Sequence, residues 1–185
     1  MAGRICPWWL GYMLISPLRR LSQDPQKILR PFLVEGMRVL EPGCGMGYFT
    51  LEMARLVGTR GQVVAVDLQP RMIRALMRRA RKAGLNDRID ARIADGRGLQ
   101  IDDLVGVIDF ALVFAVVHEL PDEAYFFEQL YRALKPGAKI LMAEPKAHVK
   151  ERKFAASSEM AQNLGFRVAA RPLIRGNWTV ALEHC

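Results

Sequence analysis

Gly43, Gly45 and Gly47 stand at alternate positions in the stretch Arg38-Val-Leu-Glu-Pro-Gly-Cys-Gly-Met-Gly-Tyr-Phe-Thr50. Glycines at that spacing permit positive φ and let a ligand approach the backbone with no Cβ in the way. Val39 and Leu40 read as a buried parallel strand. The apolar-periodic segment after the glycines starts a helix whose free N–H groups suit an anionic group. Asp67 ends a second apolar run, twenty residues after Gly47, where a carboxylate can accept two hydrogen bonds from a ribose diol. Capping the helix begun at Pro70 is its other reading. Asp95 ends a third run just before Gly96, a position that also suits a plain Asp-Gly turn. After Phe114 comes Ala-Val-Val-His-Glu-Leu-Pro-Asp122, where His118 can remove a proton near neutral pH. Glu144, Lys146 and His148 follow a later run and can contact a substrate or serve as ordinary loop polarity.

A dinucleotide and S-adenosylmethionine both use such a turn. The dinucleotide fingerprint wants Gly-x-Gly-x-x-Gly. Counting from Gly43, the last position is Tyr48; counting from Gly45, it is Thr50. Neither register completes the fingerprint. Glu41 at the strand end would repel a pyrophosphate but suits the ammonium group of S-adenosylmethionine.

Val39 to Gly47 resembles the first motif of class I S-adenosylmethionine-dependent methyltransferases, an acidic residue followed by alternating glycines after a strand. The resemblance extends from about Gly36 to the C-terminus. It implies a cofactor site of Glu41, Gly43, Cys44, Gly45, Gly47, Asp67, Leu68, Asp95, Gly96 and Phe114, with Asp95 accepting from the adenine amine. Leu134-Lys-Pro-Gly137, a strand, and Glu144-Pro145 are similar to small-molecule methyltransferases of quinone biosynthesis and arsenite methylation. Arsenite ranks below carbon, oxygen, nitrogen or sulfur acceptors, because nothing brings Cys6, Cys44 and Cys185 together. The loop after Phe114 lacks both the Asn/Asp-Pro-Pro-aromatic pattern of nucleic-acid amino-methylating enzymes and a Pro-Cys nucleophile. His118 is the candidate base; in related families a His-x-x-Pro-Asp element also simply fixes this loop.

The elements that must position these residues follow from periodicity. Asp24-Pro25 is a helix start, Asp as cap and Pro at the first helical position. Helices are expected over 48–57, 71–82, 123–134 and 150–164, and strands over 62–67, 88–94, 107–114, 138–143, 166–170 and 178–183. Residues 135–137 carry a type II turn signature. The last two strands have no helix between them, so one runs antiparallel. The expected fold is therefore α/β and Rossmann-like: a seven-stranded, mostly parallel sheet with an antiparallel strand at or near one edge and helices on both faces. Residues 1–35 form an N-terminal helical lid carrying Trp8, Trp9 and Tyr12 toward substrate, with packing on the sheet or a homodimer contact as alternatives. The methyltransferase domain covers 36–185.

With 51% hydrophobic and 25% charged residues in 185, the chain has the balance of one globular domain rather than a disordered one. The net charge of +8 is nearly accounted for by Arg71, Arg74, Arg78, Arg79, Arg81 and Lys82. They form either a ridge for RNA phosphates or a solvated face, and the absence of interleaved aromatics favours the face. The three cysteines show no metal-ligand spacing, consistent with a reducing, cytoplasmic setting. Trp8 to Ile15 is too short to span a bilayer and lacks a convincing cleavage site. The expectation is methyl transfer from S-adenosylmethionine to a small molecule, releasing S-adenosylhomocysteine. An RNA methyltransferase using residues 71–82 and a non-catalytic cofactor-binding protein are the alternatives.

Overall fold

A computed structural model describes residues 17–95 and 98–185. Seven strands follow the sheet order β3-β2-β1-β4-β5-β7-β6, numbered along the chain and bounded below. The described residues divide into two compact units, one up to Gln100 and one from Ile101 onward.

The first unit opens with a 3-10 turn, Pro17–Leu21, and a single-turn helix α1, Pro25–Leu29. The Asp24 side chain accepts from the Gln26 N–H at 3.0 Å, as the Asp-Pro signature requires. Then come β1 (Arg38–Pro42), α2 (Thr50–Leu56), β2 (Gln62–Asp67), α3 (Pro70–Lys82) and β3 (Ile89–Ile93). β2 pairs in parallel with both β1 and β3. Val39, Leu40 and Val63 through Val66 are buried, which suits unbroken apolar runs. α2 starts two residues later than expected, because Tyr48 and Phe49 still belong to the turn. α3 packs on β2 and β3 and buries Met72, Ile73, Ala75, Leu76 and Ala80. Met77 is only half-buried, whereas Ala75 packs with Met72 against Met46.

The second unit contains β4 (Ile108–Phe114), α4 (Glu123–Ala133), β5 (Leu134–Pro145), α5 (Glu151–Asn163), β6 (Phe166–Ala170) and β7 (Asn177–His184). β4 pairs with β5 in parallel, and β7 runs antiparallel to both β5 and β6. The hairpin expectation thus holds, with its antiparallel strand second from the edge. β5 departs from expectation by starting at Leu134, which pairs with Ile108 before the register shifts to Phe110 with Lys139. Residues 135–137 bulge out of the strand instead of preceding it, and Gly137 supplies the left-handed conformation at φ +78. On α4, Phe126, Phe127 and Leu130 are buried while Tyr125 is 40% exposed. Lys153 and Ser157 of α5 reach Glu123 at 2.5 and 2.6 Å and tie α5 to the start of α4. Among the described residues, no helix is long and apolar enough to cross a membrane.

Candidate active site

The glycine turn is built from its backbone outward. The Gly43 and Cys44 N–H groups both donate to the Val66 carbonyl, at 2.8 and 3.1 Å, and the Gly47 N–H donates to the Cys44 carbonyl at 3.0 Å. All three glycines have positive φ, +72 at Gly43, +54 at Gly45 and +81 at Gly47. Two of them differ in what they make room for. A Cβ on Gly45 would meet nothing within 4 Å, whereas one on Gly47 would sit 2.3 Å from Leu76 Cδ1 of α3. Gly45 leaves the backbone open to a ligand; Gly47 admits a packed helix. The Cys44 side chain is buried, and burial pushes its thiol well above the ordinary range.

Asp67 holds two backbone groups at once. Its Oδ1 accepts from the Gln69 N–H at 2.8 Å, at the start of α3, and its Oδ2 accepts from the Gly45 N–H at 2.9 Å. A carboxylate offers about four acceptor sites, so capacity remains for the ribose hydroxyls assigned to it. Burial raises the Asp67 pKa against the lowering by those two N–H groups. Leu68 beside it is 42% exposed. Asp95 closes a tight turn: Gly98 N–H lies 3.1 Å from its Oδ1 and 3.4 Å from its carbonyl. Gly96 lies outside the described residues. Phe114, 9% exposed, ends β4 in the other unit.

Glu41 is 4% exposed and accepts from Thr50 Oγ1 at 2.5 Å. Its pKa is pushed up to about 8, chiefly by burial. Arg19, which the sequence did not single out for this role, comes to the same turn from the N-terminal side. Its guanidinium lies 4.3 Å from the Tyr48 ring centroid and 5.5 Å from that of Phe49. Its Nε donates to Gln23 Oε1 at 2.8 Å, and Tyr48 Oη donates to the Gln23 carbonyl at 2.8 Å. Burial lowers the Arg19 pKa, while the charges of Tyr48 and Glu41 raise it. No local pattern marks an arginine so far upstream of the turn; only the fold brings it there.

The second unit carries a different chemistry. After β4 the chain turns at Ala115, which holds φ +58, and then forms a 3-10 turn, Val117–Glu119. A non-glycine residue with positive φ is uncommon and worth attention beside a candidate base. Glu144, at the end of β5 and 2% exposed, accepts from the Val116 and Val117 N–H groups with Oε1, at 3.1 and 2.8 Å. Its Oε2 lies 2.5 Å from His118 Nδ1. An ionised carboxylate only accepts, which places the imidazole proton on Nδ1 and leaves the Nε2 lone pair available. The hydrogen bond to Glu144 raises the His118 pKa, opposed by burial and helped by the charges of Glu144 and Glu119. Glu119 Oε1 is 4.0 Å from Nε2. The exposed His148 ring lies parallel to His118, centroids 6.1 Å apart.

The structure therefore places Glu144, expected against substrate, beneath His118 with its oxygens engaged. Lys146 is exposed with its ammonium 4.2 Å from the Trp178 ring centroid; the Trp178 indole donates to the Val149 carbonyl at 3.0 Å. Trp8, Trp9 and Tyr12 lie outside the described residues. On α3, Arg71, Arg74, Arg78, Arg81 and Lys82 are exposed and Arg79 is half-buried.

Residues 33–178 match the methyltransferase domain family. The chain belongs to that family, in the class I, S-adenosylmethionine-dependent group. A ubiquinone biosynthesis O-methyltransferase of Xanthomonas oryzae pv. oryzae is 32% identical over 141 residues, covering 74% of this chain and 55% of that protein. A demethylmenaquinone methyltransferase of Lactiplantibacillus plantarum is 26% identical over 119 residues, 64% of this chain and 49% of that protein. The chain thus spans about half the length of these curated relatives. A solved SAM-dependent methyltransferase from Aquifex aeolicus shares the fold with a TM-score of 0.87 at 24% identity, covering 98% of this chain and 100% of that one. S-adenosylmethionine is the cofactor to fit to the first unit. The open side of Gly45, the spare acceptor capacity of Asp67, the Glu41 carboxyl and the Arg19 guanidinium are the groups of this unit whose chemistry suits its nucleoside and its amino-acid tail.

Proposed function

We propose that this chain transfers a methyl group from S-adenosylmethionine to the ionisable hydroxyl of a small aromatic acceptor, with His118 as general base. The observation that carries this reading is the 2.5 Å pairing of His118 Nδ1 with a buried Glu144 that two backbone N–H groups hold in place. A carboxylate anchored in this way fixes the imidazole tautomer and stabilises the imidazolium that forms when Nε2 takes a proton. A phenol, with a pKa of about 10, is within reach of a histidine whose own pKa is raised. The 32% identity to an O-methyltransferase supports the oxygen acceptor.

In the first unit, the Gly43–Gly47 backbone and Asp67 hold the nucleoside, and Asp95 with Gly96 receives the adenine. Arg19 supplies a cation for the carboxylate of the tail, and Glu41 becomes the anion for its ammonium by giving up its proton on binding. Bound there, S-adenosylmethionine supplies a methyl group already activated on a sulfonium. The protein's own work is alignment, proton removal and exclusion of water. Residues 1–35, with Trp8, Trp9 and Tyr12, serve as the cover over the acceptor, in a cytoplasmic setting.

The test is transfer of a labelled methyl group to a panel of phenols, catechols and hydroxybenzoates by the wild type and His118→Ala. Turnover reduced about 10²- to 10⁴-fold in the variant is expected for a lost general base. Turnover that survives the substitution contradicts the base assignment; no turnover by the wild type on any phenol contradicts the acceptor class. The five exposed cations of α3 support a second reading, an RNA acceptor. It requires RNA binding that weakens steeply with salt.

A further inference from the structure

Sequence alone groups six cations on α3, but the structure sets one apart. Arg71, Arg74, Arg78, Arg81 and Lys82 are exposed, while Arg79 is half-buried. Its Nη1 donates to the carbonyl of Met46, the residue between Gly45 and Gly47. Burial lowers the Arg79 pKa, and the nearby charge of Arg55 lowers it further. A cation in that position therefore pays for desolvation, and the carbonyl contact offsets the cost.

Two more contacts run along the same face of the helix. The Met46 side chain clusters with Met72 and Ala75, and Leu76 occupies the space a Gly47 Cβ would need. Positions 72, 75, 76 and 79 recur at helical spacing and share one face. From the other direction, the Val66 carbonyl and the Asp67 carboxylate hold the Gly43, Cys44 and Gly45 N–H groups. The glycine turn is thus gripped by β2 at its start and by α3 at its end. Glycine peptides have little intrinsic preference between φ signs, so a turn of this composition takes its shape from such grips. Of the α3 contacts, the Arg79 bond is directional and acts on a peptide plane within the turn itself.

We infer that Arg79 is a positioning residue for the cofactor site, a latch that fixes the Met46 peptide and so the backbone surface presented at Gly45. The inference rests on the reading of this turn as the S-adenosylmethionine site. It removes Arg79 from the basic ridge and ties α3 to cofactor affinity.

The test uses the full chain as wild type, Arg79→Met, Arg79→Lys and, as an exposed neighbour, Arg78→Met. Dissociation constants for S-adenosylmethionine and S-adenosylhomocysteine are measured by calorimetry, beside thermal midpoints and amide exchange at Gly47, whose N–H bonds the Cys44 carbonyl. Arg79→Met keeps the apolar stem and loses the donor, so affinity is expected to fall about tenfold or more, with faster Gly47 exchange. Arg79→Lys should recover affinity to within about threefold of the wild type, and Arg78→Met should match the wild type. A lower thermal midpoint with unchanged affinity and unchanged Gly47 exchange overturns the proposal, because that is the signature of a merely structural residue. If Arg79→Met does not fold, Arg79→Gln, too short to reach the carbonyl, decides on the same readouts. A wild type that binds neither ligand overturns the cofactor reading instead, and Gly47 exchange without ligand still tests the latch.

Discussion

Replacing Glu144 with Gln separates the orientation of His118 from its presence. In the native protein Glu144 Oε2 lies 2.5 Å from Nδ1, and Oε1 accepts two N–H groups, from Val116 and Val117. A glutamine has the same shape and one acceptor oxygen. If that oxygen stays on the backbone donors, its NH₂ faces Nδ1, and two donors cannot share the contact. The imidazole must then move its proton to Nε2, where it cannot act as a base. Loss of a hydrogen bond to a charged partner costs about 1.5–3 kcal/mol, roughly 10- to 150-fold in rate. The tautomer change adds to that, and the equivalent Asp→Asn change beneath a serine-protease histidine costs about 10⁴-fold. The expected loss in kcat is therefore on the order of 10²- to 10⁴-fold, with a thermal midpoint close to the wild type. An assay independent of the acceptor is an NMR titration of the His118 ring. Glu144 raises the native pKa, so the variant should titrate at lower pH and show the Nε2–H tautomer. Because the neutral imidazole is the active form, the rising limb of the pH–rate profile should also move to lower pH. An unchanged pKa and tautomer, with activity within about twofold, would refute the reasoning.

Three further outcomes follow from the same geometry. Gly47→Ala should lower stability more than Gly45→Ala, since its Cβ would lie 2.3 Å from Leu76 Cδ1 and the buried Leu76 must shift to admit it; Gly45→Ala should fold, with about 1 kcal/mol of backbone strain, yet lose cofactor affinity, and thermal melts beside calorimetry check both. Glu41 binds its proton more tightly when folded, up to about pH 8, so it contributes stability below about pH 4.5 that is lost as pH rises toward 8. Glu41→Gln should therefore raise the thermal midpoint at pH 8.5, by an effect on the order of a few kcal/mol, while weakening S-adenosylmethionine; a lowered midpoint at that pH contradicts the account. S-adenosylmethionine brings an ammonium and a sulfonium near Glu41 and should draw that proton off at pH 7, so apparent binding enthalpies should differ between buffers of different ionisation heat; identical values would count against it.

What was legible in the sequence was whatever local chemistry dictates. The run from Gln62 to Asp67 is apolar up to its acid, and the strand has those bounds. The Asp24-Pro25 cap and the terminal hairpin also follow from neighbouring residues. Less legible was anything set by tertiary pairing. The Lys135-Pro-Gly137 signature gave the backbone conformation of Gly137 correctly, but only strand pairing with Ile108 reveals that it is a bulge inside β5. Glu144 looked like a polar residue at a strand end; its burial beneath His118 depends on where β5 lies beside the β4 loop. Arg79 looks like one more cation of the α3 face, and Arg19 carries no signal at all, because no short-range pattern distinguishes an arginine that folds back onto the glycine turn. For Asp67 the sequence offers a cap or a ligand residue; its contacts to the Gly45 and Gln69 N–H groups tie it to the glycine turn, a link set by β2 lying beside β1.

The most direct test of the central claim is a calorimetric titration of S-adenosylmethionine, S-adenosylhomocysteine and NAD into the wild type and Asp67→Ala. Asp67 holds the Gly45 N–H at 2.9 Å and, on the proposed reading, offers its remaining acceptor capacity to a ribose, so its loss should remove a ligand contact and loosen the turn together. The account predicts micromolar binding of the first two ligands, lost in the variant, and no binding of NAD. Tight NAD binding, or wild-type affinity retained by Asp67→Ala, would contradict it.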